Sequence, residues 1–271
     1  MPFRIAGSVV RVPLIEIYRC RAALKSTLVD EIRRKHAGSA FGMGWFVILP
    51  LLFLTFYATV YLVIFKVKPT EMTSLDYLLY IYIGLMAFLG FSEAMTSGAA
   101  SLSANRAIIL NTVFPAELLP LRSVLSSQTT FLIGLGLSIV WSLTVGRGSI
   151  WLLMVPIVVV FQIVFLIGLA WLLSPIYLVF RDLGQLLNFA SLGIMVISPI
   201  AYRASDLQGF QKILLYINPL YYYLSGYQAM VFDGKPPPLS QLLLGAGAAI
   251  TIFLVGFYFF RRVKAVVAEH V

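Results

Sequence analysis

The chain has 271 residues, of which 60% are hydrophobic and only 11% charged, with a net charge of +9 and a mean hydropathy of +0.93. A soluble domain carries about 25% charged and about 45–50% apolar residues, so the apolar surface here exceeds what one core can bury. One cysteine and no low-complexity tract exclude a disulfide scaffold, a collagen and a disordered chain, which leaves an integral membrane protein.

Crossing roughly 30 Å of hydrocarbon takes about 20 apolar residues in a helix. Six stretches meet or approach that length: 42–65, 77–98, 122–145, 150–180, 186–202 and 241–260. The fourth is long enough to tilt, and the fifth is close to the lower limit. The runs are continuous rather than alternating, so barrel strands are excluded and the fold class is all-α. The expected architecture is six transmembrane helices, an N-terminal amphipathic interfacial helix and external re-entrant helices before the last span. Residues 1–40 form the cytoplasmic segment and 41–271 the spanning domain.

Before the first span lie 12–36, read as a helix with Pro13 in its first turn. Leu14, Ile17, Tyr18, Leu24, Leu28, Val29 and Ile32 fall on one arc, with Glu16, Arg19, Asp30 and Arg34 opposite. This helix is either an interfacial anchor or a gate over a cytoplasmic entrance, where Arg33, Arg34 and Lys35 would meet an anionic substrate. Eight of the 20 basic residues precede the first span, and Arg106, Arg122, Arg181, Arg261, Arg262 and Lys264 fall on the same side. Lys66, Lys68, Arg147, Arg203, Lys212 and Lys235 face the other way. The excess places both termini in the cytoplasm and accounts for the net charge without nucleic acid. No apolar core with a small-residue cleavage site marks the first 40 residues, so no cleaved signal is expected. Cys20 then lies on the reducing side.

Glu93 is the one acidic residue well inside a span, about 25 Å below Asp76 and hence close to the cytoplasmic face. It is read as a partner for an arginine of the entry helix or as a functional carboxylate. The link 101–120 is mixed polar and apolar, with a short helix expected over 105–110. If Ile108, Ile109 and Leu110 are exposed there, a protein partner or the headgroup layer must cover them; otherwise they pack under their own bundle. The last external connection, 203–240, is too long and apolar for a loop. Short helices dipping into the outer leaflet and broken at Asn218-Pro219 fit it. Tyr216, Tyr221, Tyr222, Tyr223 and Tyr227 are either an interfacial aromatic belt or an exit whose rings stack on sugars, a surface that Tyr57, Tyr61 and Phe65 would extend.

The sequence contains no phosphate-binding glycine loop; Gly234-Lys235 is followed by three prolines. There is no His-Glu-x-x-His, no metal-ligand cluster and no Ser-His-acid set, and the two histidines, His36 and His270, lie near interfaces. No filter sequence of a tight pore is present. Uphill movement would therefore draw on energy supplied from elsewhere.

Several separated motifs then fall in one order. Arg33, Arg34 and Lys35 precede Gly42, Gly44, Trp45 and Pro50. Asn105, the Ile108-Ile109 pair, Phe114-Pro115 and Glu117 follow, then Arg181-Asp182-Leu183, Ser198-Pro199-Ile200 with Tyr202, and Asn218-Pro219-Leu220. This series resembles the type-2 ABC exporter permeases of the polysaccharide, or O-antigen, branch. It departs from their pattern in carrying Phe46, not proline, after the tryptophan.

The resemblance implies a homodimeric channel in a bacterial inner membrane, exporting lipid-linked polysaccharide. Two separate ATP-binding subunits would power it and hold the ATP and Mg, leaving this chain without a cofactor or catalytic residues of its own. It further implies that Asn105, Arg106, Ile108, Ile109, Asn111, Phe114 and Glu117 couple to the ATPase. Three alternatives stand beside it: a type-2 ABC permease for a drug, lipid or other small molecule, a membrane-embedded glycolipid-modifying enzyme, and a self-powered carrier. The tyrosine cluster argues against the first, and the isolation of Asp206 and Asp233 against the second.

Overall fold

The computed structural model describes residues 21–35, 37–66, 72–111 and 115–270, with side chains described at all of these but 22, 23, 111 and 264–270. Leu14, Ile17, Tyr18 and Cys20 of the expected gate helix, and Phe114, lie outside the described residues. Among the described residues every regular element is a helix. In chain order these are α1 (Arg21–Lys35), α2 (Trp45–Ala58, running on as a π-helical Thr59–Ile64), α3 (Ser74–Ala104), α4 (Arg106–Asn111) and α5 (Leu118–Thr144). A 3-10 turn, Ile150–Met154, leads into α6 (Val155–Val179). There follow α7 (Leu183–Ile197), α8 (Phe210–Ile217), α9 (Pro219–Tyr227, extended by π-helical Gln228–Phe232) and α10 (Leu239–His270).

Among the described residues five stretches are long and apolar enough to cross a membrane: Gly42–Ile64, Ser74–Ala104, Leu118–Thr144, Ile150–Val179 and Leu239–Val263. The fifth predicted span, 186–202, is not one helix to its end. α7 has 15 residues, which is about 22 Å and short of the hydrocarbon thickness. It stops at Ile197 because Ser198 precedes a proline and is held extended at φ −71 and ψ 137. Pro199 then has no N–H with which to continue the ladder.

α3 is the central helix. Of its most apolar stretch 78% is buried, against 17% for that of α2. It packs against α5 on one side and α6 on another, and α6 packs along α10. Thr73 opens α3 with a capping box: its hydroxyl accepts the Asp76 N–H while the Asp76 carboxylate accepts the Thr73 N–H. Aromatic rings fill the middle, with Phe91 stacked on Phe165 at 5.9 Å and Trp171 packed between Phe253 and Phe257. Buried amides are tied into this core. Gln128 Nε2 donates to the Gly90 carbonyl at 3.0 Å, and the Tyr227 hydroxyl donates to Gln162 Oε1 at 2.9 Å.

α2 and α7 are the peripheral helices. Both lean on α3, and both leave apolar faces open, Leu52 and Phe56 on one, Leu186, Phe189 and Val196 on the other.

Candidate functional site

Polar side chains gather at the two ends of the bundle. At one end α3 finishes in Asn105, whose N–H donates to the Leu102 carbonyl and whose own carbonyl accepts the N–H groups of Ile108 at 3.0 Å and Ile109 at 3.3 Å. Asn105 is thus the hinge between α3 and the short α4. Its side chain is used twice: Nδ2 donates to the Ser101 carbonyl at 2.8 Å, and Oδ1 accepts from Arg122 Nη2 at 2.6 Å. Arg122, on the first turns of α5 and only 7% exposed, also pairs through Nε with Glu31 of α1 at 2.5 Å. Of the three aliphatic residues in α4, Ile108 and Ile109 pack against the bundle, while Leu110 stands 63% exposed beside the open Arg106. Glu117 is buried, and its carbonyl accepts the Trp171 indole N–H at 2.8 Å, which pins the start of α5 to α6. Asn111 closes α4.

α1 lies against α5. Leu24, Leu28, Glu31 and Lys35 recur at helical spacing along one side of it, so this face is apolar at one end and ionic at the other. Lys35 pairs with Glu93 of α3 and sits 5.7 Å from the Phe46 ring. Glu93 therefore finds its partner in a lysine of α1, where an arginine was expected. Arg33 and Arg34 remain exposed, as does Val29 from the expected apolar arc. Beside Glu93, the Ser92 hydroxyl donates to Ser191 of α7 at 3.0 Å, so consecutive residues of α3 hold α1 and α7.

At the opposite end Arg147 joins three segments. It pairs with Asp76 at 2.9 Å, donates to the Phe232 carbonyl at 3.2 Å, and its guanidinium lies 4.4 Å from the centre of the Phe232 ring. Ser149 donates to the Gly234 carbonyl at 3.0 Å, and Arg203 faces Asp233 at 3.6 Å. Replacing Arg147 by alanine is expected to cost about 1 kcal/mol, since the pair is partly wet. Lysine should not restore it, because the fork serving both partners is lost. A thermal unfolding scan of the two variants checks this.

Over 198–202, between α7 and a 3-10 turn at Ala204–Asp206, the chain runs without regular structure, and side chains answer its free carbonyls. Gln228 Nε2 donates to Pro199 O at 2.9 Å, the Tyr77 hydroxyl to Ala201 O at 2.8 Å and the Tyr80 hydroxyl to Tyr202 O at 3.2 Å. Asn218 Nδ2 donates to the Ser198 hydroxyl at 2.8 Å, and the Tyr202 hydroxyl reaches back to the Ile197 carbonyl. Between this turn and α2 lies a cavity of about 210 Å³, lined by Tyr57, Tyr61, Met195, Val196, Ile200 and Tyr202 among others. Tyr57 and Tyr61 stack at 5.9 Å, and Phe65 meets Tyr61 edge-on at 5.8 Å, so the three rings form a ladder along α2 that runs from buried Tyr57 through half-buried Tyr61 to exposed Phe65.

The eight aromatic candidates fall into three groups. Tyr57, Tyr61 and Phe65 make the ladder. Tyr216, Tyr221 and Tyr222 form a second cluster: Tyr216 meets Tyr221 edge-on at 6.0 Å, the Tyr222 hydroxyl donates to Tyr216 O at 2.6 Å, and the Tyr221 hydroxyl accepts from Gln241 Nε2 at 2.7 Å. Tyr223 and Tyr227 are buried, the first donating to the Gly245 carbonyl at 3.1 Å and the second to Gln162, so they fasten α9 to α10 and α6.

Sequence reasoning missed Glu31, Arg122, Arg147 and Gln228 as organising residues. Arg122 carried a signal: a lone arginine one turn inside an apolar run must find a partner within the bundle. Glu31 and Gln228 carried none, because their partners are 91 and 29 positions away.

No family model matches the chain. Three relatives match it over nearly their whole length. It is 25% identical to the O-antigen export system permease protein RfbA of Myxococcus xanthus over 260 residues, 94% of this chain and 98% of that one. Two proteins of the same name from Klebsiella pneumoniae are 31% and 28% identical over 247 residues, each alignment covering 88% of this chain and 91% of the relative. With five membrane-length helices, these matches define the class: a multi-pass helical permease. The chain belongs to the O-antigen export permeases, the polysaccharide branch of the type-2 ABC exporter permeases.

Proposed function

We propose that the chain is the channel-forming permease subunit of an ABC transporter that exports lipid-linked polysaccharide across the bacterial cytoplasmic membrane. The observation that carries this reading is the match to O-antigen export permeases over 88–94% of this chain and 91–98% of theirs. ATP and Mg are held by partner subunits. In this reading the end that carries α1 and α4 faces the cytoplasm with both termini, in keeping with the excess of basic residues on that side. Exposed Arg106 and Leu110, on the outward side of α4, meet the ATPase. Arg33 and Arg34 attract the anionic linkage of the incoming glycolipid, while Lys35 holds the gate helix to Glu93.

α7 acts as the fifth of six spans, with its short helix completed by the side-chain-supported turn 198–202. Helices α8 and α9 dip into the outer leaflet as re-entrant elements. Two copies assemble with the open faces of α2 and α7 inward, so the aromatic ladder of Tyr57, Tyr61 and Phe65 lines the outer half of the path. Sugar rings slide along such faces because stacking is strong enough to guide and weak enough to release.

Deleting the gene in its native host and fractionating lipid-linked glycans tests the reading. Loss of a surface polysaccharide, with its lipid-linked form retained inside, is the expected result. An unchanged glycan profile in a host without a redundant exporter would replace it with a small-molecule permease. Within the same assay, Tyr61→Ala combined with Phe65→Ala should lower surface glycan roughly tenfold, the equivalent of about 1.4 kcal/mol of lost contact, with permease abundance unchanged. Phe65 is exposed and Tyr61 only half-buried, so normal surface glycan in that variant would remove the ladder from the path.

A further inference from the structure

We propose that Arg122 is a positioning residue that makes the gate helix and the coupling helix move as one piece, an inference that rests on the reading of the chain as an ABC permease. Glu31, Asn105 and Arg122 come from three different elements and meet at a single guanidinium. Arg122 Nη2 hydrogen-bonds Asn105 Oδ1 at 2.6 Å while Nε forms an ion pair with Glu31 Oε2 at 2.5 Å, so one extended guanidinium reaches both partners where the single ammonium of a lysine would not. The Arg122 side chain is only 8% exposed against 29% for Glu31, and a buried guanidinium stripped of its carboxylate is disfavoured.

Asn105 is the point at which such a linkage has leverage. The α3 backbone ends there and α4 begins there, with both Ile108 and Ile109 hydrogen-bonded to its carbonyl. A push on α4 from a docked subunit turns the chain at Asn105 and carries Oδ1 with it. The backbone of Arg122 stays fixed to the bundle, because the Trp171 indole pins Glu117 just ahead of it. Its side chain spans the gap between that fixed frame and the moving parts, and Glu31 follows. One turn further along α1, the Lys35–Glu93 pair attaches the same helix to α3 and serves as the pivot. The displacement delivered to α1 is therefore a swing about its Lys35 end and not a detachment.

The test uses the full permease together with its ATPase in membranes. Cys20→Ser removes the one native thiol, and spin labels go to cysteines introduced at the exposed positions Lys25 on α1 and Ala107 on α4. In the unaltered linkage a single inter-label distance is expected, the same without nucleotide and in the ATP-trapped complex. Arg122→Glu is expected to broaden that distance and to lower glycan export about tenfold, while ATP hydrolysis by the complex continues. Combining it with Glu31→Arg should restore both the single distance and the export, because the swapped pair re-forms and Asn105 turns its amide N–H groups toward the new carboxylate. Arg122→Lys guards against a variant that fails to fold: it keeps the charge but serves one partner at a time, and export should fall with hydrolysis at the wild-type rate. Wild-type export in Arg122→Lys, an unchanged label distance in Arg122→Glu, or hydrolysis and export falling in equal proportion would each overturn the proposal. The label distance is read without substrate, so it tests the linkage even where the unaltered protein exports no polysaccharide, a result that would instead overturn the polysaccharide reading.

Discussion

Placing a single methyl group at Gly256 is expected to lower the stability of the bundle by about 3 kcal/mol, the upper end of what overpacking costs, and the thermal midpoint by roughly 6–12 °C for a chain of this size. A Cβ built there would lie 2.1 Å from the Gly168 carbonyl oxygen and 2.9 Å from its carbon. The facing position is equally closed. A Cβ at Gly168 would come within 2.5 Å of the Ile252 carbonyl and of the Phe253 Cα. Every one of these atoms is backbone, so no flexible side chain can turn aside, and α6 and α10 must separate. The two helices share the most extensive packing in the molecule. Without a hydrophobic driving force between helices in lipid, close approach of small residues is what holds such a pair together. Gly247, on the same α10, has nothing within 4 Å of its Cβ position. Gly247→Ala should thus leave the midpoint unchanged or slightly raised, as a helical glycine is about 1 kcal/mol less favourable than alanine. Equal melting of Gly256→Ala and Gly247→Ala in detergent would show that α6 and α10 do not cross at these glycines.

Asn218→Ala is expected to cost about 2 kcal/mol and to loosen the whole connection from α7 to α9. One part is the helix cap: Asn218 Oδ1 accepts the Leu220 N–H at 3.0 Å, and losing such a cap costs about 1 kcal/mol. The other part is the buried bond from Nδ2 to the Ser198 hydroxyl, which in turn donates to the Ile194 carbonyl at 2.6 Å, worth about 1 kcal/mol more. The effect on export should exceed the effect on stability. α7 ends here, and the turn 198–202 forms one wall of the aromatic cavity, so freeing it moves Tyr202 and Ile200 away from Tyr57 and Tyr61. Gln228→Leu gives an independent check, since it strips only the donor to the Pro199 carbonyl. Thermal scans together with surface glycan measurements on both variants test this. Wild-type behaviour in both would mean that the turn does not depend on its side-chain donors.

Length, composition and the spacing of apolar runs were enough to establish an all-helical membrane protein and to place five of its spans within a few residues. The reason is that a bilayer imposes the same demand on every spanning segment: a continuous apolar stretch whose backbone satisfies itself. Local chemistry was equally legible. Asn218-Pro219 separates α8 from α9, with the proline opening the second helix, and the short helix of the link after α3 begins one residue past Asn105.

Pairing across the chain was decided only by the tertiary structure. Arg122 read as one more basic residue counted toward topology, and Arg147 as a loop charge; their roles depend on Glu31 and Asp76, 91 and 71 positions away. The tyrosines looked equivalent along the sequence, yet Tyr223 and Tyr227 turn into the bundle while Tyr216 stays exposed. Helical periodicity states which residues share a face, but in a chain that is apolar almost all round it does not state which face meets a neighbour. The length of α7 belongs to the same category. An apolar run of adequate length predicted a helix through residue 202, and the proline ended it at Ile197, because Tyr77, Tyr80, Asn218 and Gln228 were there to support the irregular backbone that followed.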